Sequence, residues 1–396
     1  MSLEQALQSL FAPESIQNPY PAHAKLRPYG DLLVVPELNS AFALSVDAVN
    51  AFFRHPSASA NRIGEASPDW PGDGLLQPMM LFHDHASHAR LRGLVSMAFT
   101  PKAVAETRQF IVELVDELLD RYALEGGDFM TKVAVPFPLQ VIARLLGLQE
   151  AEQERFRAWA DTLLALLDGS TYDPAKASKM SQDVADMRAY FREVADELRQ
   201  GNRPGVLASM ARAEADGERL SADELLANAA LLLGAGFETT TNLIAGAVLE
   251  FSRHPQAWRQ LLEDPSLAAN AAEECLRFVT PVQATSRVLR NQAEWKGQTL
   301  PEGLNINLML GAANRDPEKF SNPDRFNLTR PNAERHVAFA SGPHYCLGAP
   351  LARLEAQIFL ERLRQKFPHF SVPKQTLEYR HNFTVRGLKQ LEVAMA

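Results

Sequence analysis

One cysteine in a glycine-flanked loop is the feature of this sequence best suited to chemistry. The run Phe339-Ala340-Ser341-Gly342-Pro343-His344-Tyr345-Cys346-Leu347-Gly348 places residues that turn tightly on both sides of a sulfur. Just beyond it, Pro350 suits a first helical turn, where its missing N–H would be unpaired anyway. Leu351, Leu354 and Ile358 recur on one face, so the spacing predicts a helix as far as the Phe367-Pro368 break. The sulfur then sits at a helix N-terminus, whose partial positive charge favours the thiolate that a soft metal requires. Read alone, the same cysteine is equally well a small, inert hydrophobe.

A second group of residues lies midway along the longest periodic stretch, in Ala235-Gly236-Phe237-Glu238-Thr239-Thr240. Leu232, Ala235, Gly236 and Thr239 share one helix face by their spacing of three and four. Glycine inside a helix costs about 1 kcal/mol against alanine, so Gly236 calls for a close neighbour such as a flat cofactor or dioxygen. Glu238 beside Thr239 in an apolar helix offers a proton route into a dry site. The alternatives are an acid paired to a base and a hydroxyl bonded to a carbonyl one turn back. His88 and Arg92, four apart, put two cations on one helix face where they could grip a dianion. His83, His85 and His88 lack the carboxylate or cysteine partners of a zinc site. Glu274 and Arg277, three apart between apolar flanks, form a pair that burial would oblige to find further partners.

These residues need a frame. The composition, 46% apolar and 22% charged, is that of a globular protein with an ample core. A net charge of −8 speaks against a general nucleic-acid binder. Cys275 and Cys346 stand in unlike contexts, so no disulfide is expected, in keeping with a reducing, cytoplasmic setting. Met1 to Phe11 has neither a basic start nor a long apolar run, so no signal peptide or membrane anchor is expected. Leu225 to Phe251 is the most apolar region, but Asn228, Glu238 and Asn242 interrupt it, which predicts a buried helix. No composition shift divides the chain, and a single domain over residues 1–396 is expected.

Periodicity predicts helices over Glu106–Tyr122, Leu139–Leu146, Glu150–Leu167 and Ala175–Arg199. The box Ser221-Ala222-Asp223-Glu224 opens a further helix that ends near His254-Pro255 and is roughly 50 Å long at about 1.5 Å per residue. Short strands are predicted at Tyr29–Val35 and Ala41–Val46, extended chain at Val282–Arg287, and two or three strands within Trp295–Leu310. Ala58–Pro78 and Asp168–Pro174 read as loops. The class is therefore mainly α with a small β region (α+β).

The motif Phe-x-x-Gly-x-His-x-Cys-x-Gly resembles the haem-ligating signature of the cytochrome P450 superfamily in its soluble bacterial form. Further resemblances follow in the family's order from about Pro78 to Gly387. They are His88-x-x-x-Arg92, Ala235-Gly236-x-Glu238-Thr239, Glu274-x-x-Arg277, Arg287 and Pro323-Asp324-Arg325-Phe326. The resemblance implies the cytochrome P450 fold, with haem b between the long central helix and the cysteine-loop helix. It implies Cys346 as the metal ligand, with Phe339, His344 and Gly348 around it, and thiolate ligation that favours O–O cleavage. It implies haem contacts from Ala235 and Gly236, propionate contacts from His88, Arg92 and Arg287, and catalytic roles for Glu238 and Thr239.

Arg325 is the expected third partner of the Glu274–Arg277 pair. The implied substrate pocket takes in Leu75, Leu76, Met79, Met80, Leu232, Val282, Gln283, Ala284, Thr384 and Val385, with Gln283 and Thr384 as polar anchors. The helix pair around Asp168–Pro174 is its roof. One departure is Ala340, where the family has glycine, which argues against a left-handed backbone there.

The implied activity is insertion of one oxygen atom from O2 into an apolar organic substrate. Electrons would come from a ferredoxin and its reductase, which Arg353, Arg362 and Arg364 could dock. No flavin or nicotinamide fingerprint is present, and no nucleic acid or membrane partner is implied. A peroxide-using or redox-neutral haem-thiolate enzyme, or a haem-binding sensor, is the alternative; the intact Glu238-Thr239 pair weighs against both.

Overall fold

The computed structural model of the chain describes residues 1–62, 74–148, 153–168, 174–200, 205–215 and 217–395. The expected loops at Ala58–Pro78 and Asp168–Pro174 lie in part outside these residues, at 63–73 and 169–173. Two compact units are seen. One comprises Met1–Ser59, Val115–Ala134 and Thr239–Ala396; the other comprises Ala60–Leu114 and Val135–Glu238. The 32-residue helix Ala222–Arg253 carries the boundary between Glu238 and Thr239. It is long and apolar enough to cross a membrane, yet 78% of its most apolar window is buried within the protein, as the interrupting polar residues predict.

The unit containing Ala60–Leu114 and Val135–Glu238 is built from helices His85–Ala98, Pro136–Leu146, Gln153–Asp168 and Ala177–Gln200, with the first half of the central helix. Ser221 and Glu224 form the reciprocal cap that starts the central helix, at 3.1 and 2.8 Å. Phe156, Trp159, Tyr190 and Phe191 pack ring against ring between two of the helices, Phe156 meeting Tyr190 edge to face and Trp159 tilted against Phe156 and Phe191, and the Arg155 guanidinium lies 4.6 Å over Trp159. Pro136–Leu146 stops at Gly147, whose φ of 82° no bulky residue adopts easily.

In the other unit, a five-stranded sheet packs beneath helices. Its strands are β1 (Leu32–Val35), β2 (Ser40–Ala43), β3 (Ala58–Ser59), β4 (Thr285–Leu289) and, after the hairpin β5 (Ala293–Trp295) and β6 (Gln298–Leu300), β7 (Asn305–Leu308). The order is β1-β2-β7-β4-β3. Only β2 and β7 run parallel, with Ser40 opposite Asn305. Both apolar faces are filled. Phe52, Ile306 and Phe320 anchor one side, and Leu10, Leu26 and Phe42 the other.

A buried polar network organises the approach to the cysteine loop. Arg277 grips Glu274 in a two-pronged pair at 2.7 and 2.8 Å, and neither residue has exposed surface. The third partner is Arg330, whose Nε lies 3.0 Å from Glu274; Arg325 keeps its side chain outside and contributes only its carbonyl, which accepts from Arg330 at 2.9 Å. The expectation for Arg325 is thus corrected. Its neighbours turn the backbone, whereas Arg330 follows far enough along to fold inward. Asn314 donates to Thr280 at 3.0 Å and accepts from the Val337 N–H at 2.8 Å, fixing where the chain enters the loop.

Candidate functional site around the Cys346 loop

Backbone hydrogen bonds shape the loop. The Cys346 N–H donates to Phe339 at 2.9 Å, the Tyr345 N–H to Gly342 at 3.1 Å and the Ala340 N–H to Val337 at 3.0 Å. Gly342, at φ 71°, packs against the helix Val46–Arg54, where an added Cβ would stand 3.0 Å from the Phe53 carbonyl and 2.9 Å from Arg54. Ala340 adopts φ 59°, so the expectation that alanine avoids the left-handed region here is overturned. The three hydrogen bonds that close the loop hold it there against a cost of roughly 1–2 kcal/mol.

Helix Ala349–Lys366 begins three residues after Cys346, with Pro350 in its first turn and Phe367 as its C-cap, as the spacing predicts. Cys346 is exposed. Cys275 is fully buried, and burial, with Glu274 adding to it, pushes its thiol well up. The two cysteines therefore differ in kind: one is packing, the other is an accessible sulfur at the positive end of a helix.

Behind the loop, Arg353 binds Glu273 at 2.6 Å, donates to the Tyr345 hydroxyl at 2.9 Å and lies 4.7 Å over the buried Phe339 ring. His336 meets the same Glu273 carboxylate at 3.0 Å. Burial alone would raise the Glu273 carboxyl, but His336 and Arg353 outweigh it and hold it at about 2. Arg362 is paired with Asp116 at 2.7 Å. Arg353 and Arg362 are thus bound within the protein rather than presented as loose cations, and Arg364 is half-buried. Arg287 on β4 is 3% exposed and lies 5.2 Å over Phe53.

Along the central helix, Leu233, Phe237, Thr240 and Thr241 are at most 2% exposed, whereas Ala235 is exposed and Leu232, Gly236 and Thr239 are half-buried. The face picked out by spacing is therefore an accessible stripe on an otherwise covered helix. Gly236 has a different cause from the one expected: a Cβ there would meet Ile142 at 2.8 Å, so packing against a neighbouring helix demands the glycine. Glu238 is buried at 2% exposure. His88 is buried and Arg92 half-buried on His85–Ala98. His344 and Gly348 are half-buried in the loop itself.

The pocket expectations divide. Leu75, Leu76 and Met79 are at most 1% exposed and Met80 is 7% exposed. Asn228 pins their segment to the central helix by accepting from the Met80 N–H at 2.9 Å and donating to Pro78 at 3.2 Å. These side chains are anchors, since covered surface touches no ligand. Ala284 packs in the core beside Leu7 and Leu26. Gln283 turns inward, donating to the Thr280 carbonyl at 2.7 Å, so it is not a polar anchor for substrate. Leu232, Val282, Thr384 and Val385 keep accessible surface, and Val282 bridges Val385 across the two segments.

Two residues of interest carry no motif. Arg330 has no sequence signal beyond its charge. Glu355 has one: it lies four after Leu351 on the apolar face. Its carboxyl is fully covered, and neither oxygen has a partner of good geometry. Burial pushes it well up, and the nearby Thr240 hydroxyl offsets only part of that.

As a donor set, an accessible thiol suits a soft transition metal, a stripe of small side chains suits a flat face, and His, Arg and Arg suit an anionic edge. The residues present fit an iron porphyrin. A family model described as Cytochrome P450 matches residues 39–392. Cytochrome P450 107B1 of Saccharopolyspora erythraea is 39% identical over 85% of this chain and 80% of its own length. Vitamin D(3) 25-hydroxylase of Pseudonocardia autotrophica is 36% identical over 98% of this chain and 96% of its own. The solved structure of P450BioI with an acyl carrier protein ligated to hexadec-9Z-enoic acid aligns at a TM-score of 0.91 and 32% identity, covering 97% of this chain and all of the other.

Proposed function

Because the chain belongs to the cytochrome P450 family of haem-thiolate oxidoreductases, we propose that it is a monooxygenase inserting one oxygen atom from O2 into a small or medium-sized, largely apolar substrate. The observation that carries this is the exposed Cys346 at the start of an 18-residue helix, in a loop closed by its own hydrogen bonds. When bound, haem b supplies the activation of dioxygen and the oxidising step, which no side chain can perform. All residues together, 1–396, act as a single P450 domain.

The protein's own residues bind, orient and move protons. Cys346 is the thiolate ligand, and Phe339, His344 and Gly348 line its loop. His88, Arg92 and Arg287 neutralise the carboxylates of the cofactor's edge. Ala235 leaves room for its flat face, beside Gly236, whose missing side chain serves the packing against Ile142. Glu238 delivers a proton and Thr239 relays it through its hydroxyl. Leu232, Val282, Thr384 and Val385 meet the substrate, and hydroxylation or epoxidation is the outcome. The relative named vitamin D(3) 25-hydroxylase supports hydroxylation of a largely apolar substrate, and the neighbour solved with an acyl carrier protein supports a carrier-bound acyl chain. Electrons come from a cytoplasmic ferredoxin and its reductase.

The reduced, carbon-monoxide-bound protein should show the Soret band characteristic of the family, and Cys346→Ala should lose it. A band that survives this substitution sinks the ligand assignment. Thr239→Ala should keep haem and substrate but release hydrogen peroxide in place of product, with coupling falling at least about tenfold. Unchanged coupling would remove Thr239 from the proton route.

A further inference from the structure

A cleft of about 750 Å³ opens within the unit that holds the sheet, and none of the groups discussed above as site residues lines it. Its walls come from the N-terminal residues around Tyr20, the last turns of the central helix and the C-terminal segment around Tyr379 and Arg386. The volume is that of an ordinary small-molecule site.

Its polar groups are unevenly matched. Arg253 is paired with Glu250 at 2.9 Å, and Arg315 with Asp324 at 2.9 Å. Arg386 has no carboxylate partner among the described residues. Its guanidinium stacks 3.6 Å over Tyr379 and donates from Nη2 to the Gln17 carbonyl at 2.8 Å, leaving its enclosed Nε–H without an acceptor. Arg315, 8% exposed, also has a covered Nε without an acceptor, although its other nitrogens are engaged by Asp324 and Phe278. Three arginines therefore face two carboxylates, and Arg386 is the one left without a carboxylate partner among the described residues. Leu249, Leu377 and the two tyrosines supply apolar and aromatic surface beside them.

We propose that this cleft binds an organic monocarboxylate with an apolar body, its carboxylate held by Arg386. One negative charge balances the site, its oxygens accept from the half-buried Arg386 guanidinium, and the apolar part covers the leucine and tyrosine walls.

The test is calorimetry of the haem-loaded protein with decanoate and with methyl decanoate, following the haem spin state alongside. Decanoate should bind without changing the spin state, and the ester should not compete. Arg386→Gln should weaken binding about tenfold, the effect of losing a charge-assisted hydrogen bond, while Arg386→Lys keeps most of it. Ala24→Trp, which adds bulk at another lining position, should abolish it. The proposal is overturned by wild-type affinity in Arg386→Gln or Ala24→Trp, by equal binding of the ester, or by heat that tracks the spin-state change throughout.

Discussion

Glu355 sits in a covered position with only the Thr240 hydroxyl to help it, so ionising it in the folded chain is costly. An unfolded carboxyl titrates near about 4.3, and the folded one well above that. The folded chain therefore holds a proton that the unfolded chain has lost. The resulting stabilisation is complete below the unfolded value and fades as pH rises toward the folded one. Glu355→Gln, which never ionises, should match the wild type in urea midpoint at about pH 4 and exceed it increasingly toward about pH 8. Parallel pH profiles would refute this. Ala340 makes a similar point for the backbone. Its left-handed φ could not be foreseen, because the residue type argues against it and only the closed loop imposes it.

Among the elements, the Glu274-Arg277-Arg330 network joins a helix to the turn that precedes the cysteine loop. Removing one cation from a buried acid leaves charge uncompensated, whereas removing an exposed side chain does not. Arg330→Met should thus lower unfolding free energy by about 3 kcal/mol, and Arg325→Ala by less than about 0.5 kcal/mol, in chemical denaturation. The reverse order would reinstate Arg325. Helix limits were legible where caps and periodicity agreed: the Ser221 box and the Phe367-Pro368 break both fall where the sequence places them. Arg330 was not legible, since its role depends on where a stretch without regular structure turns back. The anchoring of Met80 by Asn228 was equally hidden, because a polar residue in an apolar helix signals only an interruption.

For the whole molecule, the family could be read from a few motifs spaced across the chain, because thiolate ligation and proton delivery require particular residue types. Pocket walls could not. Whether Gln283 faces a ligand or its own backbone is decided by packing around Gly311, where a Cβ would collide with the Gln283 side chain at 2.0 Å. No periodicity encodes such a collision.

The contrast between the two cysteines gives the molecule a built-in reporter of maturation. Before iron arrives, an alkylating reagent such as iodoacetamide should tag Cys346 and spare the sealed, poorly acidic Cys275. Supplying haem should then abolish the tagging, so that mass spectrometry of the intact chain counts the charged fraction of a preparation. Persistent labelling in a fully coloured sample would mean that the sulfur is not where the metal is held.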